Sequence, residues 1–486
     1  LSVTIKKYHF LLIICFMFTI GLLNIINSEV VLQIKGDSLH YYNYGKLISK
    51  NISLLDFNNI YHQRVLFYTV PIFCLLPVTL ASVQFINLLI YLVSAILFTH
   101  VILKDFNKHI AFYFLLLYAF SFEFFAVITI PSHDLASIFY FSVLALLLYV
   151  LGKYQKEYFK YAVIITIALL IVVNDFQRTI KIPLLITLTL MLLSRLNNIK
   201  EIYKSISAIN ILCILICAIG FFYCVNNIKD KFGENDTFYD LENMVYSYND
   251  IYTKGDYYAG QDSRENFITL MPKNDKLELV FHKYATQVAD YPLDLLILLQ
   301  KKATTLFSTT PWDFSFMDKR FNDFESPGYW ILKPAVMLLF LLFKLFCFFL
   351  AALGVLNCIK KIYLNDFFKI YIIYPIVLLP LLFLSEVNSS YGFLFYPVIL
   401  FFGALGIESF ISKKAHKPLH LKKQILNPII LTSTLLCLVF VLFKLFVTIS
   451  PVKLIDFNKN DYVLQDLESI VWNQSNLTNP FELNLK

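Results

Sequence analysis

The chain has 486 residues, of which 58% are hydrophobic and only 15% are charged, and its formal net charge is +7. Soluble globular domains of ordinary composition are not this apolar, and apolar runs of about 20 residues, enough to cross a bilayer, recur along most of the chain. This composition excludes a soluble enzyme. It also makes the positive charge a question of membrane topology, with no indication of nucleic-acid binding.

The apolar runs predict eleven membrane-spanning helices. The predicted spans are 9–27, 83–104, 109–130, 134–151, 160–175, 179–194, 206–226, 334–359, 368–387, 391–412 and 427–448. The first span has no small-x-small cleavage site before Ser28, so we interpret it as a retained anchor helix and not as a signal peptide. A shorter apolar piece, Val65 to Leu80, contains Pro71 and Pro77 and is expected to be an interfacial or re-entrant helix.

The distribution of basic residues predicts an orientation. If the N-terminus is cytoplasmic and the spans alternate, every inner connection carries Lys or Arg, whereas the outer turns at 131–133 and 388–390 carry neither. The inner residues are Lys6, Lys7, Lys104, Lys108, Lys153, Lys156, Lys160, Arg195, Lys200, Lys204, Lys360, Lys361, Lys413, Lys414, Lys417, Lys422 and Lys423. This asymmetry follows the positive-inside rule and predicts that the long polar segments are external.

The predicted architecture is an all-α polytopic membrane protein with external juxtamembrane helices and one large external loop domain. An N-terminal transmembrane catalytic module, 1–226, contains the external loop 28–82. The external loop domain is 227–333, the C-terminal transmembrane helices occupy 334–448, and an external tail covers 449–486. All cysteines lie in or beside apolar segments, so no disulfide framework is predicted.

Asp37 is the first candidate for a catalytic residue. It follows the first span in the run Gly36-Asp37-Ser38-Leu39-His40-Tyr41-Tyr42, and an amphipathic stretch through Leu47, Ile48 and Ile52 comes next. This pattern is typical of an interfacial helix with aromatic side chains at headgroup depth. An acid held there is well placed to take a proton from a sugar hydroxyl. The alternative is an ordinary loop acid in a turn after Gly36.

Asp134 is a second candidate acid, in the outer turn Pro131-Ser132-His133-Asp134. It opens span four, where a carboxylate is favoured by unpaired amide groups and the helix dipole, so helix capping is one interpretation. The other is a second acid near Asp37 that orients the acceptor or holds a divalent cation. Second-tier candidates are His133, Tyr41 and the acids Glu123 in span three and Glu386 at the end of span nine, because intramembrane acids are costly and often functional.

Cations near the outer face are candidates for binding a lipid phosphate. Arg178 and Lys181 lie in the turn between spans five and six, where the positive-inside rule disfavours them, and Arg64 precedes the re-entrant piece. Arginine can hold two phosphate oxygens and lysine adds a point charge. The alternatives are interfacial snorkelling or a pair between Arg178 and Asp175.

The order of these features resembles the GT-C glycosyltransferases that use polyprenyl-phosphate sugars, particularly the protein O-mannosyltransferase and lipid A aminoarabinose transferase superfamily. Asp37 through Tyr41 match an Asp-x-x-x-Tyr stretch after the first helix. Ser132-His133-Asp134 occupies the place of a second acidic turn, and Asn174 to Lys181 that of a basic turn. The segment from Ala289 to Lys302 resembles the helix that leads the external domain back to the membrane. Asn388 to Pro397 resembles a motif that carries Arg-Tyr in many members, but the arginine is absent here.

The resemblance implies transfer of a sugar from a polyprenyl-phosphate donor to a glycan, lipid or protein acceptor on the external face. Asp37 would be the general base, inversion would occur at the anomeric carbon, and Arg64, Arg178 and Lys181 would offset charge on the departing phosphate. No cofactor is implied with certainty; a divalent cation, if used, would have Asp37 and Asp134 as ligands. The Ile, Lys, Asn and Phe bias suggests an AT-rich genome and hence a bacterial inner membrane.

Two alternative functions fit the same composition. A polysaccharide polymerase or ligase of the same membrane face would depend on external arginines or a histidine instead of an early Asp. A transporter or lipid flippase would show paired halves, broken helices at matching positions and polar residues near the midplane. The sequence shows no such internal symmetry, and its polar candidates cluster at one predicted face.

Overall fold

The structure is a computed structural model that describes residues 5–27, 37–55, 60–121, 123–153, 157–177, 181–196, 208–232, 289, 298–299, 302, 333–358, 374, 377–379 and 394–415. Every regular element in these ranges is helical. Six of the helices are long and apolar enough to cross a membrane. The protein is therefore an all-α polytopic membrane protein, as its composition predicts.

The helices are numbered in chain order. They are α1 (Lys7–Asn27), α2 (Asp37–Lys50), α3 (Ile60–Leu66), α4 (Thr69–Leu75), α5 (Leu80–Asp105), α6 (Lys108–Ala119), α7 (Glu123–Ile128), α8 (His133–Lys153), α9 (Glu157–Gln177), α10 (Lys181–Leu196), α11 (Ala208–Phe232), α12 (Lys333–Cys358) and α13 (Tyr396–Ala415). A short 3₁₀ turn, Ile52–Leu54, follows α2. The predicted spans 368–387, apart from 374 and 377–379, and 427–448 lie outside the described residues.

The third span, predicted as one helix over 109–130, is wrong in that form because the helix is interrupted. α6 ends at Ala119, and α7 begins at Glu123. Tyr91 on α5 donates its hydroxyl hydrogen bond to the Tyr118 carbonyl oxygen at 3.1 Å. Asn24 on α1 donates to the Phe125 carbonyl oxygen at 2.8 Å. A break inside a bilayer is tolerated when neighbouring side chains satisfy the exposed backbone groups, and α1 and α5 do so here.

Aromatic side chains form the core around this break. The Tyr91 and Tyr118 rings stack at 5.2 Å between centroids, Tyr118 and Phe124 stack at 4.7 Å, and Phe98 meets Phe114 edge-on at 6.1 Å. These pairs run in opposite directions along the two helices, so α5 and α6 are antiparallel. Dense ring packing of this kind fixes the relative heights of the helices on either side of the break.

The described helices form a bundle whose two ends differ chemically. At one end, Ser137 near the start of α8 donates to Asn174 near the end of α9 at 2.7 Å, and Val83 of α5 packs with Ala136 of α8. The other end holds basic residues at helix termini, namely Lys7, Lys104, Lys108 and Lys153. This alternation matches the predicted topology. Which end faces the cytoplasm stays a prediction from charge.

Glycines allow α12 and α13 to pack closely and in parallel. A Cβ atom at Gly354 would meet the Phe402 carbonyl oxygen, and one at Gly406 would meet the Leu350 carbonyl oxygen. Lys344 Nζ lies over the Tyr396 ring, 5.5 Å from its centroid, and a Cβ atom at Gly354 would also lie 3.0 Å from the Gly406 amide nitrogen. The pairs 344–396 and 354–406 rise together along the two helices, which makes them parallel, as the alternation of spans eight and ten predicts. Small residues let membrane helices approach until their backbones touch.

Replacing Gly406 with alanine is expected to destabilise the protein by about 1–3 kcal/mol, because the new methyl group overlaps a backbone oxygen that cannot rotate away. Thermal unfolding in detergent measures this effect. Gly220→Ala is the matched control, since a Cβ there meets no atom within 4 Å, and alanine is the better helix former by about 1 kcal/mol. Equal unfolding temperatures for the two variants would contradict the close packing.

Candidate functional site

The site begins with α2, which lies against α3 and α4. Tyr41 and Ile48 of α2 are buried with Val65 and Val70, and the Thr69 hydroxyl donates to the Tyr41 carbonyl oxygen at 2.9 Å. The predicted helix after Asp37 is therefore confirmed as α2. One detail differs from the expected membrane-facing stretch: Ile48 packs inside the protein, whereas Ile52 is 60% exposed.

The predicted re-entrant piece, Val65 to Leu80, contains the last two residues of α3 and the whole of α4, and it ends where α5 begins. α3 and α4 have seven residues each, which corresponds to about 10 Å at 1.5 Å per residue. Neither helix is long enough to cross a bilayer. Together with α2 they form a layer of short helices at the end of the bundle that carries the α8 N-terminus, and their depth in the membrane stays a prediction.

Four residues that the sequence nominated separately lie together in this layer. The Arg64 Nη1 of α3 donates to the Tyr41 hydroxyl at 2.8 Å. The Tyr41 ring meets the His133 ring edge-on, with centroids 5.1 Å apart. The His133 Nε2 lies 3.8 Å from the Asp134 Oδ1. Tyr41, Arg64, His133 and Asp134 thus form one cluster, contributed by α2, α3 and α8, which we call the Arg64–Asp134 cluster.

Asp134 is buried and lies in the first turn of α8, where the helix dipole favours negative charge. Its Oδ2 accepts a hydrogen bond from the Ser132 hydroxyl at 3.3 Å. The Ser132 oxygen in turn accepts the Asp134 amide at 3.3 Å. Ser132 therefore caps the start of the helix with its side chain, and the Asp134 carboxylate is oriented beside His133.

The turn before α8 is held by hydrogen bonds to buried polar side chains that the sequence analysis did not single out. The Tyr68 hydroxyl accepts the Ser132 amide at 3.0 Å and donates to the Asn87 Oδ1 at 2.7 Å. Asn87 Nδ2 donates to the Ile130 carbonyl oxygen at 2.8 Å, and Gln84 Nε2 to the Thr129 carbonyl oxygen at 2.8 Å. The sequence feature that could have indicated these contacts is the pair of amide side chains, Gln84 and Asn87, within the apolar α5. Their partners lie far away in sequence.

A second group that sequence reasoning missed consists of rings next to Tyr41. His40 and Tyr61 have ring centroids 4.8 Å apart, Tyr44 and His62 are 4.5 Å apart, and Tyr41 and Tyr61 are 5.9 Å apart. These contacts join α2 to α3. They fix the position of Arg64 relative to Tyr41, because Arg64 lies within one turn of both Tyr61 and His62.

The remaining nominated residues are only partly placed. Asp37 is the first residue of α2, while Glu123 and Lys181 begin α7 and α10; the side chains of these three lie outside the described part of the structure. Arg178 and Glu386 fall wholly outside the described residues. In the described part, no group of three or more His, Cys, Asp or Glu side chains gathers as a metal site. A cation held by Asp37 and Asp134 stays a prediction.

The predicted outer turn at 174–181 is shorter than expected. α9 continues to Gln177 and α10 begins at Lys181, so Asn174 belongs to the helix. Asn174 is buried and accepts the Ser137 hydroxyl. Both residues line a small pocket together with Phe141, Tyr374 and Pro397. Along α8, this pocket lies about one to two helical turns nearer the C-terminal end than Asp134. The end of α9 thus packs beside the Arg64–Asp134 cluster, and it does so through an uncharged pair.

Lys302 is a buried cation in the segment predicted to return the external domain to the membrane. Only 2% of its surface is exposed, and it is helical, as are Ala289 and Leu298 in the same predicted segment. Burial lowers the pKa of the Lys302 amine to about 7, since the charged form is disfavoured away from water.

Lys302→Met is expected to stabilise the protein, and more at pH 6 than at pH 9. Between the folded pKa of about 7 and the ordinary value of 10.5, the unfolded chain binds a proton that the folded protein does not, so wild-type stability rises with pH. The gain from removing the amine should therefore be roughly twice as large at pH 6 as at pH 9. Thermal unfolding at the two pH values checks this, and a gain independent of pH would contradict it.

Comparisons with known proteins identify no family for this chain. No protein-family model matches it, and no curated protein matches its sequence. Among solved structures, the Archaeoglobus fulgidus oligosaccharyltransferase in its apo form matches with a TM-score of 0.46 and 11% identity, covering 98% of this chain and 59% of that one. The archaeal oligosaccharyltransferase AglB from the same organism, in complex with an inhibitory peptide and a dolichol-phosphate, matches with a TM-score of 0.44 and 14% identity, covering 91% and 55%.

This chain therefore spans little more than half the length of the structures it matches. With TM-scores below 0.5, the likeness adds no argument about fold or activity. The assignment to the all-α polytopic membrane proteins rests on the helices of the chain itself.

Proposed function

We propose that the protein is an integral membrane glycosyltransferase of the GT-C type, which moves a sugar from a polyprenyl-phosphate donor to a glycan, lipid or protein acceptor. The reaction would take place at the α2–α4 end of the bundle, on the external side of what we expect to be a bacterial inner membrane. The observation that supports this most is the Arg64–Asp134 cluster. It puts a guanidinium and an acid-bearing turn side by side where membrane helices end.

Arg64 is the residue best suited to the donor phosphate. A guanidinium carries five N–H donors, and the Nη1 of Arg64 binds the Tyr41 hydroxyl. Planar, charged donors match phosphate oxygens and hold them with charge-assisted bonds. Arg178, which lies between α9 and α10 in the sequence, and Lys181, the first residue of α10, would add positive charge as the phosphate leaves.

Asp37 would serve as the general base. It begins α2 four residues before Tyr41, and residues four apart share one face of a helix. The helical register therefore assigns Asp37 to the face of α2 that carries Tyr41. The Asp37 carboxylate would take the proton of the acceptor hydroxyl as its oxygen attacks the anomeric carbon.

The bond changes balance without a redox partner or a covalent enzyme intermediate. The acceptor oxygen forms the new glycosidic bond, and the bond from the anomeric carbon to the phosphate oxygen breaks. The electron pair stays on that oxygen, where Arg64 stabilises the charge. Attack opposite the leaving group inverts the anomeric carbon. Asp134 would orient the acceptor, or bind a divalent cation together with Asp37.

Asp37→Asn is expected to lower sugar transfer by a factor of about 10²–10⁴, the usual loss when a general base is removed. Transfer is measured in proteoliposomes from a panel of radiolabelled polyprenyl-phosphate hexoses and pentoses. The matched control is Asp105→Asn. Asp105 is the last residue of α5, at the end of the bundle away from the Arg64–Asp134 cluster, so this variant should retain wild-type activity. Full activity in a correctly inserted Asp37→Asn protein would overturn the proposed base.

Replacing Arg64 is expected to weaken donor use. Arg64→Lys keeps the charge but loses the planar donors, so we expect about a tenfold rise in the donor KM, and a larger loss for Arg64→Met. Lys46→Gln, which removes a cation from the same helical layer, is the control. An Arg64→Met protein with wild-type kcat/KM would show that another cation binds the phosphate.

A further inference from the structure

We propose that Tyr68 and Asn87 are positioning residues, which hold the turn carrying His133 and Asp134 at a fixed distance from Arg64. This inference rests on the proposed function for its catalytic meaning. The relay itself is a matter of geometry: the Ser132 amide donates to the Tyr68 hydroxyl at 3.0 Å, and that hydroxyl donates to the Asn87 Oδ1 at 2.7 Å.

The position of Tyr68 in the chain gives the relay its importance. Tyr68 lies two residues after the end of α3 and directly before α4, so it belongs to the same short segment as Arg64. Its side chain does not cap α4; it points to the turn before α8. One phenol therefore connects the segment bearing the proposed phosphate ligand to the turn bearing the second acid.

Asn87 anchors the other end of the relay in the membrane bundle. Its Nδ2 donates to the Ile130 carbonyl oxygen at 2.8 Å and to the Ile128 carbonyl oxygen at 3.3 Å, just before the turn. Asn87 is fully buried. The Asn87 side chain therefore binds the chain directly on the α7 side of the turn and, through Tyr68, on the α8 side.

The relay works only with a neutral, protonated phenol. Burial raises the pKa of the Tyr68 hydroxyl above its ordinary value, so the proton it donates to Asn87 is retained through the physiological pH range. Removing this hydroxyl leaves the Ser132 amide without its acceptor and the Asn87 oxygen without its donor. Buried groups in that state recruit water or shift, and a shift of about 1 Å in a catalytic group can cost about 10²-fold in rate.

Tyr68→Phe tests the relay, because it deletes one oxygen and keeps the ring. Tyr140→Phe is the matched control: Tyr140 lies in the same region and donates to the Phe67 carbonyl oxygen at 2.6 Å, but it does not bond the turn. Both full-length variants are reconstituted in nanodiscs and compared by hydrogen exchange. In Tyr68→Phe, amide exchange in the peptide spanning 128–135 should be at least about tenfold faster, while peptides from α2 and α3 exchange as in the wild type.

A kinetic measurement separates positioning from general stabilisation. Sugar transfer by Tyr68→Phe should show kcat lowered at least about tenfold with an unchanged donor KM, since Arg64 stays in place, and Tyr140→Phe should match the wild type. Unchanged exchange at 128–135, or exchange that rises equally throughout the protein, would overturn the relay. Faster amide exchange confined to 128–135, together with an unchanged kcat, would overturn the catalytic role of the relay.

The two proposals fail differently. If the wild-type protein transfers no sugar from any polyprenyl-phosphate donor, the proposed function is wrong, and the exchange experiment still decides whether Tyr68 and Asn87 hold the turn. If the wild type is active and 128–135 exchanges alike in both variants, the function stands and the relay is wrong.

Discussion

The organisation of this protein depends on satisfying backbone carbonyl groups where a membrane helix is interrupted. The chain from α6 to the start of α8 contains two short helices, α6 and α7, and residues such as Phe124, Ile128 and Thr129 are buried, so protein groups must bind its exposed peptide groups. Side chains from α1 and α5 supply the missing donors: Asn24, Tyr91, Asn87 and Gln84 each bind a carbonyl oxygen of this stretch. The interruption is thereby held in one conformation.

That conformation delivers the acid-bearing turn to the short helices at one end of the bundle. Ser132 is bound by Tyr68 from the α3–α4 junction, and Tyr41 packs its ring on His133. Arg64 donates a hydrogen bond to the hydroxyl group of Tyr41. A polar cluster of this kind in a membrane protein is costly unless its members bind one another. Here the bonds that satisfy the backbone are also the bonds that build the site.

Much of this was predictable from the sequence, because composition and charge act over whole segments. Hydropathy identifies the helices, and the lysines at their ends predict the alternation that the parallel packing of α12 and α13 reproduces. Residue type nominated Tyr41, Arg64, His133 and Asp134 one at a time. Their assembly could not be read from the chain, because it depends on how α2 and α3 fold over the start of α8.

The break in the third span and its supports were missed for a physical reason. Averaged hydropathy is insensitive to a two- or three-residue interruption, and a hydrogen bond to a carbonyl oxygen leaves no mark on the residue that accepts it. In the sequence, Asn87 is one polar residue in an apolar stretch, and Tyr68 is one of 31 tyrosines. Their roles follow from partners that are distant in sequence.

The most direct test of the account is a cryo-EM structure of the protein in nanodiscs that contain a polyprenyl monophosphate. We predict phosphate density within hydrogen-bonding distance of the Arg64 guanidinium, about 3 Å, on the side of α2 where Asp37 begins the helix. Phosphate density at the opposite end of the bundle, near Lys104 and Lys153, with none at Arg64, would contradict it.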